Sequence, residues 1–197
     1  MTKFSSVNLT LAGAICMSFV GLLIRLIENA DGFQILFYRS IGMSLIILSV
    51  VCLRRRKTPF KVLTSLDRND FFMGICFSLA FLTYVFSMLN TSIASTLFLL
   101  SMSPIFAGCI GWFWINEKPH KVVWISMLIA LIGVSIMIKD GLTDSKSFGN
   151  ILAIFSAIFF ALGLVQARKS KKTDVLGGTF LGAIFSCLLY TSPSPRD

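Results

Sequence analysis

Residues Ile93 to Ile115, IASTLFLLSMSPIFAGCIGWFWI, run for 23 positions without a charge. As a helix rising about 1.5 Å per residue they reach about 34 Å, enough to cross a bilayer core of about 30 Å with some tilt. Pro104 stands mid-run, where it removes a backbone donor and kinks or loosens the helix. Small residues (Ala94, Ser95, Ser101, Ser103, Ala107, Gly108, Gly111) crowd the same stretch and permit close approach of neighbouring helices. Trp112 and Trp114 end it as an aromatic interface belt, and Glu117-Lys118-Pro119 follow. This is the pattern of a packed span in a polytopic protein, not of a lone anchor.

The rest of the chain fits that class. Of its 197 residues 55% are hydrophobic and only 14% charged, whereas a soluble domain carries about a quarter charged residues. The predicted class is all-α, a polytopic helical membrane protein in a lipid bilayer, with about seven apolar segments. The net charge of +9 would point to nucleic acid in a soluble protein. Here the basic residues sit between apolar runs, so the positive-inside bias accounts for them and no nucleic-acid partner is expected. Five cysteines fall about one per run with no CxxC pair, and His120 is the single histidine. No metal, cofactor or disulfide is expected from them.

In order, the apolar runs are Leu9 to Ile27, Phe33 to Leu53, Phe71 to Leu89, Ile93 to Ile115, Val122 to Ile138 and Gly149 to Ala167, with a seventh opening at Val175. The fifth is short, and Asn90-Thr91-Ser92 leaves room only for a hairpin between the third and fourth. Leu9 to Ile27 is longer than a signal-peptide core and reads as a retained span. Connections on one side hold Lys3; Arg54, Arg55, Arg56, Lys57, Lys61 and Arg68; Lys118 and Lys121; and Arg168, Lys169, Lys171 and Lys172. The other side has Arg25, Lys139 and Lys146 beside Glu28, Asp31, Asp140 and Asp144. The expected topology is an inner (plasma) membrane protein with a cytoplasmic N-terminus.

A weak internal repeat lies at an offset of 142 residues: NLTLAGAICMSFVGLL from Asn8 over NILAIFSAIFFALGLV from Asn150, aligning Asn8 with Asn150 and Gly21 with Gly163. A five-span unit would place its second copy inverted, the plan of many secondary transporters. Residues 8–138 would be the first repeat and 149–186 the start of the second. The final eleven residues, CLLYTSPSPRD (187–197), resemble the translation of a transposase sequencing adapter. The genuine sequence is then expected to stop at Ser186 inside the seventh span, and a fragment of this kind is expected neither to transport nor to stay intact in cells.

Three passages resemble the EamA family of the drug/metabolite transporter superfamily. FYRSIGMSLIILSVV resembles its aromatic-then-Arg opening, here Phe37, Tyr38 and Arg39. SMSPIFAGCIGWFWINEKP resembles its fourth-span signature, a proline among small residues with Glu117 beyond. GNILAIFSAIFFALGLVQARK is similar to the start of a second repeat. Their order and spacing cover most of Asn8 to Lys172. The resemblance implies ten spans in two repeats with a substrate path between them.

Arg39 is the sharpest candidate for that path. A charge about 10 Å inside a span approaches the 2.5–3.5 kcal/mol insertion cost of the bilayer centre, so such residues face a bundle or a wet cavity and find a partner. It either holds an anionic substrate group or is a structural arginine satisfied by carbonyls or Glu28. Its repeat counterpart is the uncharged Leu181. Tyr38, Tyr84, Thr83 and Asn90 either line a pathway or bond across helices. Ser101 and Pro104 form either an unwound binding element or a kink whose freed carbonyls a hydroxyl satisfies. Glu117 at the water boundary suits a salt bridge to Lys118, Lys121 or Arg68, and no carboxylate lies mid-span to couple protons. Trp112, Trp114 and Trp124 read as interface anchors. No GxSxG, HExxH or phosphate loop is present, and no enzyme is expected.

The expected function is alternating-access transport of a small-molecule substrate, with a possible homodimer. A complete small dimeric exporter is a rival, but it predicts an acid in the first span, and none is there. A non-transporting accessory subunit or lipid-modifying enzyme would need a soluble partner-binding segment or clustered catalytic groups.

Overall fold

A computed structural model describes residues 32–55, 67–116, 121–141, 147–170 and 175–188 in runs, and positions 8, 11, 13, 15 and 19 singly. The chain divides into two units, Met1–Asp31 and Gly32–Asp197. In the first unit Asn8, Leu11, Gly13, Ile15 and Phe19 are helical. Leu11, Ile15 and Phe19 are exposed.

The second unit holds α1 (Gly32–Arg55), α2 (Arg68–Asn90), α3 (Ile93–Leu100), α4 (Ser103–Ile115), α5 (Lys121–Gly141), α6 (Ser147–Lys169) and α7 (Leu176–Leu188) among the described residues, with no strand among them. Among the described residues four segments are long and apolar enough to cross a bilayer: Gly32–Cys52, Arg68–Asn90, Ile93–Ile115 and Ser147–Lys169. The protein is a polytopic helical membrane protein. Its outer faces carry exposed Leu45, Ile46, Phe113, Leu128, Ile129, Ile132 and Phe155, as a lipid solvent requires.

Local chemistry sets the ends. Asp67 caps α2 from an extended conformation, and its amide donates to Asp70 Oδ2 at 3.0 Å. Ser92 caps α3 by accepting from the Ser95 amide at 3.1 Å. Between them the hairpin is as tight as the sequence requires, with Thr91 and Ser92 alone outside the helices. Asn116 ends α4 in the left-handed region at φ 59°, where asparagine is tolerated.

One expectation about the spans is refined. The fourth run is not one helix: α3 stops at Leu100 and α4 starts at Ser103, with Pro104 in its first turn. Proline fits a first helical turn because no intrahelical acceptor needs its missing amide hydrogen, so the chain breaks just before it instead of kinking at it. Helix α5 continues past both ends of the short apolar run Val122 to Ile138 and covers 21 residues, Lys121–Gly141.

Helix α2 is the centre of the second unit. Its spanning window is 56% buried, against 22%, 28% and 44% for the other three. It packs most extensively on α6 and then on α7; α7 also packs on α1, and α4 on α6. α6 runs antiparallel to α2, as the pairs Ser87–Gly149, Ala80–Ser156 and Asn69–Gln166 demonstrate. α7 runs parallel to α2 through a seam of small residues. A Cβ on Gly74 would lie 2.6 Å from Leu181 Cβ, and one on Gly182 would lie 3.2 Å from the Gly74 carbonyl. Bare glycine lets the two backbones meet at that point, and dispersion does the holding where apolar surface gains nothing from leaving lipid. Ser186, fully buried, continues the seam by donating to Gly182 O at 2.8 Å and lying 3.3 Å from Ser78 Oγ.

Candidate functional site

Arg39 occupies the eighth position of α1, about 10 Å from its start. The antiparallel neighbour α2 brings two aromatic residues to that level. The guanidinium carbon lies 5.2 Å from the Phe81 ring centroid and 5.1 Å from that of Tyr84. Both rings are buried. Each ring face offers a partly desolvated cation about 0.5–2 kcal/mol, so the pair offsets much of the cost of placing the charge there. Arg39 itself is half-buried, and among the described residues no carboxylate or carbonyl oxygen accepts from it. Glu28, the alternative partner, lies outside the described residues.

The other candidates scatter. Tyr38 follows Phe37, with the two rings edge-to-face at 5.7 Å, but it is 74% exposed and points away from the bundle. Tyr84 is the one predicted pathway residue brought to Arg39. Thr83 donates back to Leu79 O at 2.8 Å, and Asn90 to Phe86 O at 2.7 Å, so both bond within α2. Ser101 and Pro104 stand together at the α3/α4 break, both exposed. The Ser101 hydroxyl donates to Phe98 O at 2.6 Å, and the Met102 amide bonds Leu99 O at 3.1 Å, a tight turn that closes the end of α3. Gly163 sits on α6 where a Cβ would come within 2.7 Å of the Phe77 ring, which makes it a packing position. Gly21 and Glu117 lie outside the described residues.

Two features at the ends of the bundle were not anticipated. At one end, Ser87 Oγ donates to Gly149 O at 2.8 Å and lies 2.9 Å from Thr96 Oγ1, while Thr91 Oγ1 donates to Asn150 Oδ1 at 2.9 Å. At the other, the Trp114 ring lies 5.0 Å from Lys169 Nζ and meets Phe72 edge-on at 6.3 Å. Gln166 Nε2 donates to Asn69 Oδ1 at 3.3 Å beside them. Trp112 instead pairs with Trp124, ring centroids 5.9 Å apart. The α2/α7 seam had a legible signal in Gly178-x-x-x-Gly182 and Gly74-x-x-x-Ser78. The end contacts had none, since they join residues far apart in the chain.

Open grooves of about 400 Å³, lined by Cys109, Ile110, Phe113 and Trp114, and of about 360 Å³, lined by Asp67, Arg68, Phe71 and Leu181, lie on the surface. Neither includes a predicted pathway residue. Among the described residues no three His, Cys, Asp or Glu side chains gather to hold a metal.

This helical membrane bundle resembles known proteins. A protein described as an uncharacterized transporter from Helicobacter pylori (strain J99) is 25% identical over 180 residues, which is 87% of this chain and 57% of that relative. The chain therefore spans a little over half the length of the curated relative it matches. No solved structure matches it significantly. The model of the EamA-like transporter family matches residues 5–139. Members of such a family carry small molecules across lipid, and they are transporters, not enzymes. With well over half its length matched, this multi-pass membrane chain belongs to the EamA-like transporter family.

Proposed function

We propose that the protein is a secondary transporter of a small metabolite, working by alternating access, with Arg39 on the substrate path. The observation that carries the reading is the Arg39 guanidinium inside a membrane-spanning helix, held by Phe81 and Tyr84 with no carboxylate beside it among the described residues. An intramembrane cation is a functional-site hypothesis by default, because insertion selects against it. Alternating access needs two bodies that move against each other. The family match ends at residue 139 and α6 begins at Ser147, so the contacts of α6 with α2 and α4 join the matched region to a helix beyond it. Residues 8–138 and 149–186 are proposed as a first repeat and the beginning of an inverted second one.

The proposed location is the inner membrane with the N-terminus cytoplasmic. Its support is that the start of α2 and the end of α6, both basic, meet at one end of the bundle through Asn69, Trp114, Gln166 and Lys169. That is the end the positive-inside bias assigns to the cytoplasm.

Counterflow in proteoliposomes tests the reading with a panel of labelled amino acids, organic acids, phosphate monoesters, sugars and polyamines. Saturable flux of at least one compound above protein-free liposomes is expected. No flux of any compound would overturn it.

A further inference from the structure

Arg39 differs from many of the polar groups described in and beside the spans. Thr83, Ser87, Asn90, Thr91, Thr96, Ser156 and Ser186 all have hydrogen-bond partners within the protein. Among the described residues the guanidinium has aromatic faces and no hydrogen-bond partner. A ring face attracts the charge but does not satisfy the five N–H donors that radiate from the guanidinium edge. Among the described residues nothing accepts from those donors. The acids of α2, Asp67 and Asp70, lie at its opposite end, eleven or more positions before Phe81, and form the helix cap there.

A cation held in this way lacks an acceptor of one particular chemistry. Carboxylate and phosphate oxygens match the guanidinium fork in two parallel, charge-assisted bonds, each roughly twice as strong as a neutral one. An anion arriving at Arg39 also removes the penalty of an uncompensated charge inside the membrane, which a neutral solute cannot do. Phe81 and Tyr84 fix the guanidinium from one element, so its remaining edge is presented already oriented and less freedom is lost on binding.

We infer that Arg39, braced by Phe81 and Tyr84, is an oxyanion-binding site and that the substrate bears a carboxylate or phosphate group. The inference rests on the transport reading above and narrows it to one substrate class. Phe81 and Tyr84 are positioning residues for that site.

The test is binding to the purified full chain in neutral detergent, with succinate, benzoate and glycerol 3-phosphate as probes, glucose and putrescine as controls, and phosphatidylglycerol as the lipid source of the same chemistry. At least one soluble oxyanion is expected to bind. Arg39→Lys, which keeps the charge and loses the fork, should weaken it by about tenfold to a hundredfold. Arg39→Met should abolish it, and Phe81→Leu should weaken it less than Arg39→Lys does. Glu28→Gln should not weaken it. No binding by any soluble oxyanion, binding only of phosphatidylglycerol, or equal binding by wild type and Arg39→Lys would each overturn the inference. Flux of a neutral or cationic solute that persists in Arg39→Met would overturn it too while leaving the transport reading intact. Oxyanion binding without flux of any compound would overturn the transport reading alone.

Discussion

Gly149→Ala adds one methyl group where the start of α6 meets the turn between α2 and α3. The new Cβ would stand 2.7 Å from the Asn90 carbonyl carbon, 2.7 Å from Thr91 Cβ and 2.8 Å from the Thr91 amide nitrogen. Carbon atoms rest at about 3.5–4.0 Å, so the start of α6 has to retreat by roughly 1 Å. Two of the three opposing atoms are backbone in the turn between α2 and α3, and no rotamer change relieves them. Retreat also stretches the Ser87–Gly149 and Thr91–Asn150 hydrogen bonds from 2.8 and 2.9 Å. Overpacking costs about 1–3 kcal/mol, and each interhelical bond in a bilayer is worth about 0.6 kcal/mol. Replacing glycine in a helix returns at most about 1 kcal/mol, and less in a first turn. The net expectation is a loss of about 1–3 kcal/mol. Gly111→Ala is the matched control, since Gly111 lies inside α4 and its Cβ would meet nothing within 4 Å. The same methyl there should stabilise by up to about 1 kcal/mol. Thermal unfolding of the purified protein, followed by circular dichroism, resolves the difference at about 2–4 °C per kcal/mol for a chain of this size. If Gly149→Ala melts at or above Gly111→Ala, the packing account of the α2/α6 contact is wrong.

Ser87→Ala removes the donor to Gly149 and the neighbour of Thr96; it should cost about 0.5–2 kcal/mol by the same melting assay, and no loss would mean the network is incidental. Trp114 and Lys169 should couple by about 0.5–1 kcal/mol in a double-mutant cycle with Trp114→Leu and Lys169→Met, whereas additive effects would show that the 5.0 Å approach carries no energy. Pro104→Ala restores an amide that can donate to the preceding turn, so hydrogen exchange across residues 101–106 should slow; unchanged exchange would place the cause of the α3/α4 break in the surrounding packing.

Helical spans were legible because periodicity is irrelevant to a helix greasy all round: length and charge alone place α1, α2 and α6 to within about three residues of the runs read from the sequence. The fourth run misled because hydropathy does not register backbone geometry. Only Pro104 marked it, and a mid-helix kink and a fresh first turn share that signal. Arg39 stood out because a charge in a span is conspicuous. Its neighbours did not, since Phe81 and Tyr84 are ordinary aromatics until the α1/α2 antiparallel register brings them level with it. Tyr38, adjacent in sequence and prominent in the same motif, lies about 100° around the helix and faces outward. The α2/α7 seam escapes a reading of Val175 to Ser186 by length alone, because its signal is small residues four apart.

The central claim is that a solute path runs past Arg39, and thiol accessibility tests it most directly. In a background with the five native cysteines replaced by alanine, Arg39→Cys and Leu45→Cys are treated in membranes with a membrane-impermeant cationic methanethiosulfonate. Leu45 is 60% exposed on the outer face of α1 and serves as the lipid-facing control. Reaction at position 39, much faster than at 45, is the result expected of a water-filled path. Equal inertness at both positions from either side of the membrane would make Arg39 a sealed structural arginine and contradict the account.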